Sequence, residues 1–161
     1  MMISRKALIY LLFLFPTVLW VALILLAPYL ESIGSRELAG LLYFFFKPTC
    51  HQLAERSFIV FGYPMAVCAR CFGIYAGFLA ATLIYPLISP VDNKKTPSKW
   101  LLLLAVVPMG LDGGIQLLTS YESNNLLRLV TGMICGGVLP FYILPVYNEL
   151  FYGFLCRKQI I

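Results

Sequence analysis

Three of the five cysteines and the only histidine fall within 22 positions: Cys50, His51, Cys68 and Cys71. Sulfur and imidazole at that density suit two kinds of chemistry, holding a metal ion or exchanging electrons through a disulfide. Both need the thiolate, which backbone N–H groups at a helix start stabilise. A Cys-x-x-Cys such as 68–71 occurs in metal knuckles and in redox pairs alike, so this spacing alone does not choose between them. Ligand count points to metal. Three cysteines and one histidine make a tetrahedral shell for zinc or another thiolate-binding ion, whereas an oxidoreductase passing electrons between partners needs two exchanging pairs and this stretch offers one. Adjacent side chains on a helix point about 100° apart, so Cys50 and His51 share an ion only if a helix begins after them; otherwise one ligates and the other supports. Glu55, one turn beyond His51, is positioned to orient the imidazole. The rival readings are a cycling Cys68/Cys71 pair that exchanges electrons with a quinone, and a structural disulfide favoured by an oxidising face.

The elements that must hold these groups are membrane helices. Of 161 residues, 61% are hydrophobic and 12% charged, about half the charge of an ordinary soluble domain. So few charges cannot cover a soluble globule of this size, which excludes a free cytosolic enzyme and a nucleic-acid-binding module. Uncharged runs of 24 residues between Lys6 and Glu31, 21 between Arg70 and Asp92, and 20 between Arg128 and Glu149 each match a bilayer core. A fourth run, from Lys99 to Glu122, carries one interior charge, Asp112. The expected fold is all-α: a single integral membrane domain over 1–161 with helices near 7–30, 72–88, 100–118 and 126–147. The first run is too long for a signal h-region, and Pro28 follows Ala27 where a cleavage site would need small residues, so it reads as an anchor. Seven basic residues (Arg5, Lys6, Lys94, Lys95, Lys99, Arg157, Lys158) cluster tightly on the side of the termini. Five (Arg36, Lys47, Arg56, Arg70, Arg128) lie on the opposite side. The positive-inside rule then predicts both termini in the cytoplasm and the Cys/His segment, 31–71, on the outer face of the cytoplasmic membrane.

Within that segment, residues 38–46 are apolar but too few to span, which predicts a re-entrant or interfacial helix. Thr49 and Gln52 have capping-box spacing, predicting a short helix running towards Phe61. Gly62, Tyr63 and Pro64 then turn the chain back.

Asp112 is the costliest residue, since an ionised carboxylate at mid-helix depth is disfavoured by about 2.5 to 3.5 kcal/mol. It must be protonated or paired. It lies about 18 Å along its helix from Trp100, with Gln116 one turn further and Arg128 and Thr131 near the outer end of the last helix. These four fall level with the Cys/His segment and predict a polar cavity beneath it. The plainer account is a structural Asp112/Arg128 pair. Pro108 loosens the helix four residues before Asp112. Arg56 and Arg70 are expected at the interface, meeting headgroup phosphates or Glu55. Cys135 reads as an apolar packing residue and Cys156 as an incidental thiol. Glycines four apart, Gly73/Gly77, Gly110/Gly114 and Gly132/Gly136, predict close helix packing, within one chain or between copies in a homo-oligomer.

The pattern Cys50-His51-Gln52-x-x-Glu55-Arg56-Ser57-Phe58 and Cys68-x-Arg70-Cys71-x-Gly73-Ile74-Tyr75-x-Gly77 resembles an uncharacterised family of small prokaryotic membrane proteins, domain of unknown function 2085. The likeness continues through Pro108-x-Gly110-x-Asp112-Gly113-x-x-Gln116 and Arg128-x-x-Thr131-Gly132-x-x-x-Gly136, covering about residues 40–140. The resemblance implies a membrane protein and a residue set, with no activity attached. From the residues, the leading expectation is metal binding, most simply zinc, with a binding or transport role over a cavity that takes a small molecule or lipid. The alternatives are a thiol-disulfide oxidoreductase, and a channel or lipid-binding bundle with structural cysteines.

Overall fold

The computed structural model describes residues 5–157, with side chains described as far as Phe151. The side chains of Cys156 and Arg157, and all of Lys158, lie outside the described residues. The chain is mostly helical. α1 runs Arg5–Ser32, α2 Arg36–Phe46, α3 Ala69–Ile88, α4 Lys99–Leu118, α5 Asn125–Val138 and α6 Pro140–Arg157. Four stretches are long and apolar enough to cross a bilayer: α1, α3, α4, and α5 with the first part of α6. Their outer faces carry side chains such as Leu87, Leu117 and Leu118, each about 85% exposed, a surface that lipid can cover and water cannot.

The expected last helix, 126–147, is two. It breaks at Leu139, because Pro140 has no N–H to donate and its ring clashes with the preceding turn. Asn124 caps α5, its side chain accepting from Leu127 N–H at 2.8 Å. Pro108, by contrast, leaves α4 continuous from Lys99 to Leu118.

Two of the three glycine repeats form one seam. Gly73 and Gly77 of α3 lie against the backbone of Leu129 and Met133, while Gly132 and Gly136 of α5 lie against Arg70 and Ile74. A side chain at any of the four would strike main-chain atoms, so the two backbones touch with nothing between them. α4 rests on α5 less intimately, and a Cβ at Gly110 or Gly114 would meet nothing within 4 Å.

At one end of the bundle the segment between α1 and α3 folds back over the helices. α2 presents Leu41, Phe44 and Phe45 outward and buries Ala39 and Phe46. Phe46, Cys50, Met65, Ala66 and Val67 then close onto Ile24 and Ala27 of α1. The helix expected from Thr49 to Phe61 does not form. The Thr49 hydroxyl turns back to donate to the Phe46 carbonyl at 2.9 Å, leaving no N-cap for a new helix. Only a 3-10 turn, Ala54–Arg56, is helical in this stretch. A hairpin follows, in which β1 (Ile59–Val60) pairs antiparallel with β2 (Tyr63–Pro64). Phe61 and Gly62 between them both have positive φ, the geometry of a tight two-residue hairpin turn.

Candidate functional site

Three chain segments deliver the sulfurs. Cys50 follows the end of α2, Cys68 is the extended residue that caps α3, and Cys71 sits in the first turn of that helix. Their Sγ atoms all lie within 4.8 Å of one another, and all three thiols are free. Cys50 is buried and its sulfur accepts two backbone N–H groups, from Cys68 at 3.1 Å and from Gln52 at 3.4 Å. Hydrogen bonding from Cys50, and then from Cys71, holds the Cys68 thiol well below its ordinary range.

Gln52 builds this arrangement. Its side-chain amide donates to the carbonyls of Tyr43 and Ala66, both at 2.7 Å, so it ties α2 to the strand leading into Cys68. Its own backbone is left-handed, with φ of 54°, a conformation costing about 1 kcal/mol for a residue with a Cβ. The Tyr43 hydroxyl adds a second tie to the Pro64 carbonyl at 2.6 Å. Capping-box spacing suggested a different job for Gln52, and nothing local in the sequence marks a positive φ there.

His51 does not join the sulfurs. It is exposed, lining the mouth of the cavity below them, because the irregular backbone at 50–53 points adjacent side chains apart. Among the described residues no hydrogen bond joins Glu55 to His51. The helix that would have stacked them one turn apart is absent, and the Glu55 carbonyl is instead approached by the Asn125 side chain at 3.5 Å.

Below the sulfurs lies a cavity of about 410 Å³, lined by Cys50, Cys68 and Cys71 above and by Arg70, Gln116 and Arg128 below. Arg70, expected at the interface, turns inward and pairs with Asp112. Asp112 is 7% exposed, and a carboxylate buried so deeply needs a partner; Arg70, entering from the first turn of α3, supplies it. The plainer account of a structural Asp112/Arg128 pair is therefore not met, since the carboxylate goes to Arg70. Arg128, 4% exposed, donates through Nε to the Ser123 hydroxyl at 3.1 Å and through Nη1 to Oδ1 of the Asn125 side chain at 3.0 Å. Thr131 is buried, but its hydroxyl serves its own helix, donating to the Leu127 and Arg128 carbonyls. Arg56 pairs with Glu122 at 3.4 Å, and the Asn125 amide reaches the Ser57 carbonyl at 3.2 Å. These contacts fasten the folded-back segment to the start of α5. Cys135 is buried and apart from the trio, as a packing residue should be.

A family model described as "Predicted membrane protein (DUF2085)" matches residues 50–142, which takes in the sulfurs, the arginines and the glycine seam. An uncharacterized protein of Methanocaldococcus jannaschii is 44% identical over 148 residues, covering 89% of this chain and 95% of its own length. An uncharacterized protein of Methanothermobacter thermautotrophicus is 44% identical over 92 residues, covering 56% of this chain and 80% of its own. No solved structure matches the chain.

Proposed function

This chain belongs to the DUF2085 family of predicted membrane proteins, and on that premise we propose that it is a metal-binding membrane protein that holds zinc through Cys50, Cys68 and Cys71. The observation that carries the reading is the gathering within 4.8 Å of three free sulfurs, one from the end of α2, one from the cap of α3 and one from its first turn. Tetrahedral zinc with bonds of about 2.3 Å sets its sulfurs about 3.8 Å apart, so a small inward movement closes the shell. The two backbone N–H groups that the Cys50 sulfur accepts are hydrogen bonds that a metal-bound sulfur keeps. Three sulfurs leave a fourth position. That position would be open to water, to His51 from the mouth of the cavity, or to a bound small molecule. Arg70, Gln116, Arg128 and Asp112 polarise that cavity, Arg56 and Glu55 brace its rim, and Thr131 stiffens the α5 turn beneath it.

The domain is one unit over 1–161. Both termini lie in the cytoplasm and the sulfur end faces outward, a reading supported by the cluster of basic residues at the opposite end. The role is binding or transport at the outer face of the cytoplasmic membrane.

Elemental analysis of protein purified under reducing, chelator-free conditions tests the assignment. One zinc per chain is expected, falling to none or a small fraction in Cys68→Ser. Metal-free protein whose Cys68 and Cys71 alternate between thiol and disulfide in cellular alkylation trapping would replace the metal reading with the redox one.

A further inference from the structure

The cavity beneath the sulfurs has an excess of donors. Its wall carries three guanidinium groups, of Arg56, Arg70 and Arg128, and no carboxylate side chain. Arg70 has Asp112 as counter-charge, and Arg56 has Glu122, which is 71% exposed and so largely screened by solvent. Arg128 has no carboxylate partner among the described residues, only the neutral oxygens of Ser123 and Asn125, although it is almost fully buried. A buried cation without a counter-charge is strongly disfavoured. Three more donors on the same wall, Nε of Arg56, Nε of Arg70 and Nε2 of Gln116, are buried and make no hydrogen bond. One orphaned acceptor stands against them, Oδ1 of Asp112 beside Arg70, so the donors remain in excess. Buried polar atoms are normally satisfied, and the excess describes a missing acceptor with negative charge and several oxygens. Phosphate fits guanidinium forks in that way, by paired N–H···O bonds.

A second feature shares the wall. Ile74 of α3 lines both this cavity and an apolar one of about 430 Å³, formed with Pro16, Trp20, Val21, Tyr75 and Phe78 between α1 and α3. A donor-rich chamber and a greasy groove that share Ile74 as a lining residue have the outline of an amphiphile. Inorganic phosphate would use only the first. We propose that the arginine chamber binds the phosphate group of a membrane lipid whose hydrocarbon chain lies in the adjoining groove. The binding groups are arginines and an amide, not the cysteines, so this site goes beyond the metal reading and does not depend on it.

The test uses full-length protein in detergent, titrated separately with phosphatidic acid, phosphatidylcholine and inorganic phosphate, with native mass spectrometry counting bound molecules. One phosphatidic acid per chain is expected, held at least about tenfold more tightly than phosphatidylcholine. Arg128→Gln should weaken it by about tenfold or more. Arg128 also braces Ser123 and Asn125, so Arg56→Gln is the second variant, expected to lose affinity severalfold in a folded, monodisperse protein, because the Glu122 contact it gives up is largely screened by solvent. Val21→Trp, which fills the groove, should weaken phosphatidic acid and leave inorganic phosphate unaffected. Equal retention of the two lipids, or phosphatidic acid affinity unchanged in both arginine variants, overturns the proposal. Saturable phosphate binding with no lipid retained overturns the lipid and leaves a free-anion site. Zinc content of the untreated protein and a repeat of the titration after chelation separate the two readings: lipid still bound after chelation upholds the arginine site whatever the metal content, and zinc present with no lipid bound before or after upholds only the metal.

Discussion

The α3–α5 seam and the exposed side of α4 carry the same sequence signal and use it differently. Gly73 and Gly77 meet Gly132 and Gly136 across two touching backbones, whereas Gly110 and Gly114 face open space. Small residues four apart permit close approach but do not supply the second helix. The seam exists because both partners carry the repeat at matching heights, just below the turn that starts each helix. α4 has no matching partner for its glycines. What ties it to the bundle is polar: Asp112 to Arg70 of α3, and the Tyr142 hydroxyl, which lies 3.1 Å from the Leu102 N–H and 2.7 Å from the Ser98 carbonyl. One pair of helices is fixed by shape, and the third by charge and hydrogen bonds.

Substitutions that exchange these two modes break the comparison. The largest effect is expected from Gly136→Val, whose new atoms would sit inside the main chain of Ile74, where no flexible side chain can yield. We expect loss of the folded bundle, seen as aggregation on size exclusion in detergent; a monodisperse, heat-stable variant would show that the seam is not held by backbone contact. Next is Asp112→Ala, which strands the Arg70 guanidinium in a mostly buried place and should cost about 3 kcal/mol in thermal or denaturant unfolding. The double variant Arg70→Met/Asp112→Leu should recover most of that loss, and failure to recover would mean that the carboxylate serves something besides Arg70. The smallest effect belongs to Gly110→Ala. With nothing within 4 Å, the added methyl only improves helix propensity, so unfolding should shift by under about 1 kcal/mol, towards stability. A large loss there would mean that α4 has a close neighbour after all.

The four membrane-crossing helices were legible because a bilayer imposes one requirement, long uncharged runs, that composition reports directly. Boundaries agreed within two or three residues except at the last helix, where Pro140 split one run into α5 and α6. The folded-back segment was legible only in part. The apolar piece ending at Phe46 is helical as expected, but Thr49 and Gln52 met the spacing of a capping box and formed none. Their side chains found better partners, Phe46 for Thr49, Tyr43 and Ala66 for Gln52. Two of those partners are distant in sequence, which spacing cannot register. Arg70 was misplaced for a related reason. A basic residue at a helix start looks like an interface anchor until a neighbouring helix offers it a buried carboxylate.

The residue types and their distances along the chain were enough to establish a membrane bundle, to single out Cys50, His51, Cys68 and Cys71, and to require that Asp112 be protonated or paired. Those conclusions follow from solvation, because burying charge or exposing grease has a cost that any fold must meet. Which cation answers Asp112, that His51 stays outside the sulfur trio, and that only two of three glycine repeats interlock were decided by the tertiary structure. Each depends on the height and facing of helices that are distant in sequence, and the relative placement of such helices is a property of the packed bundle.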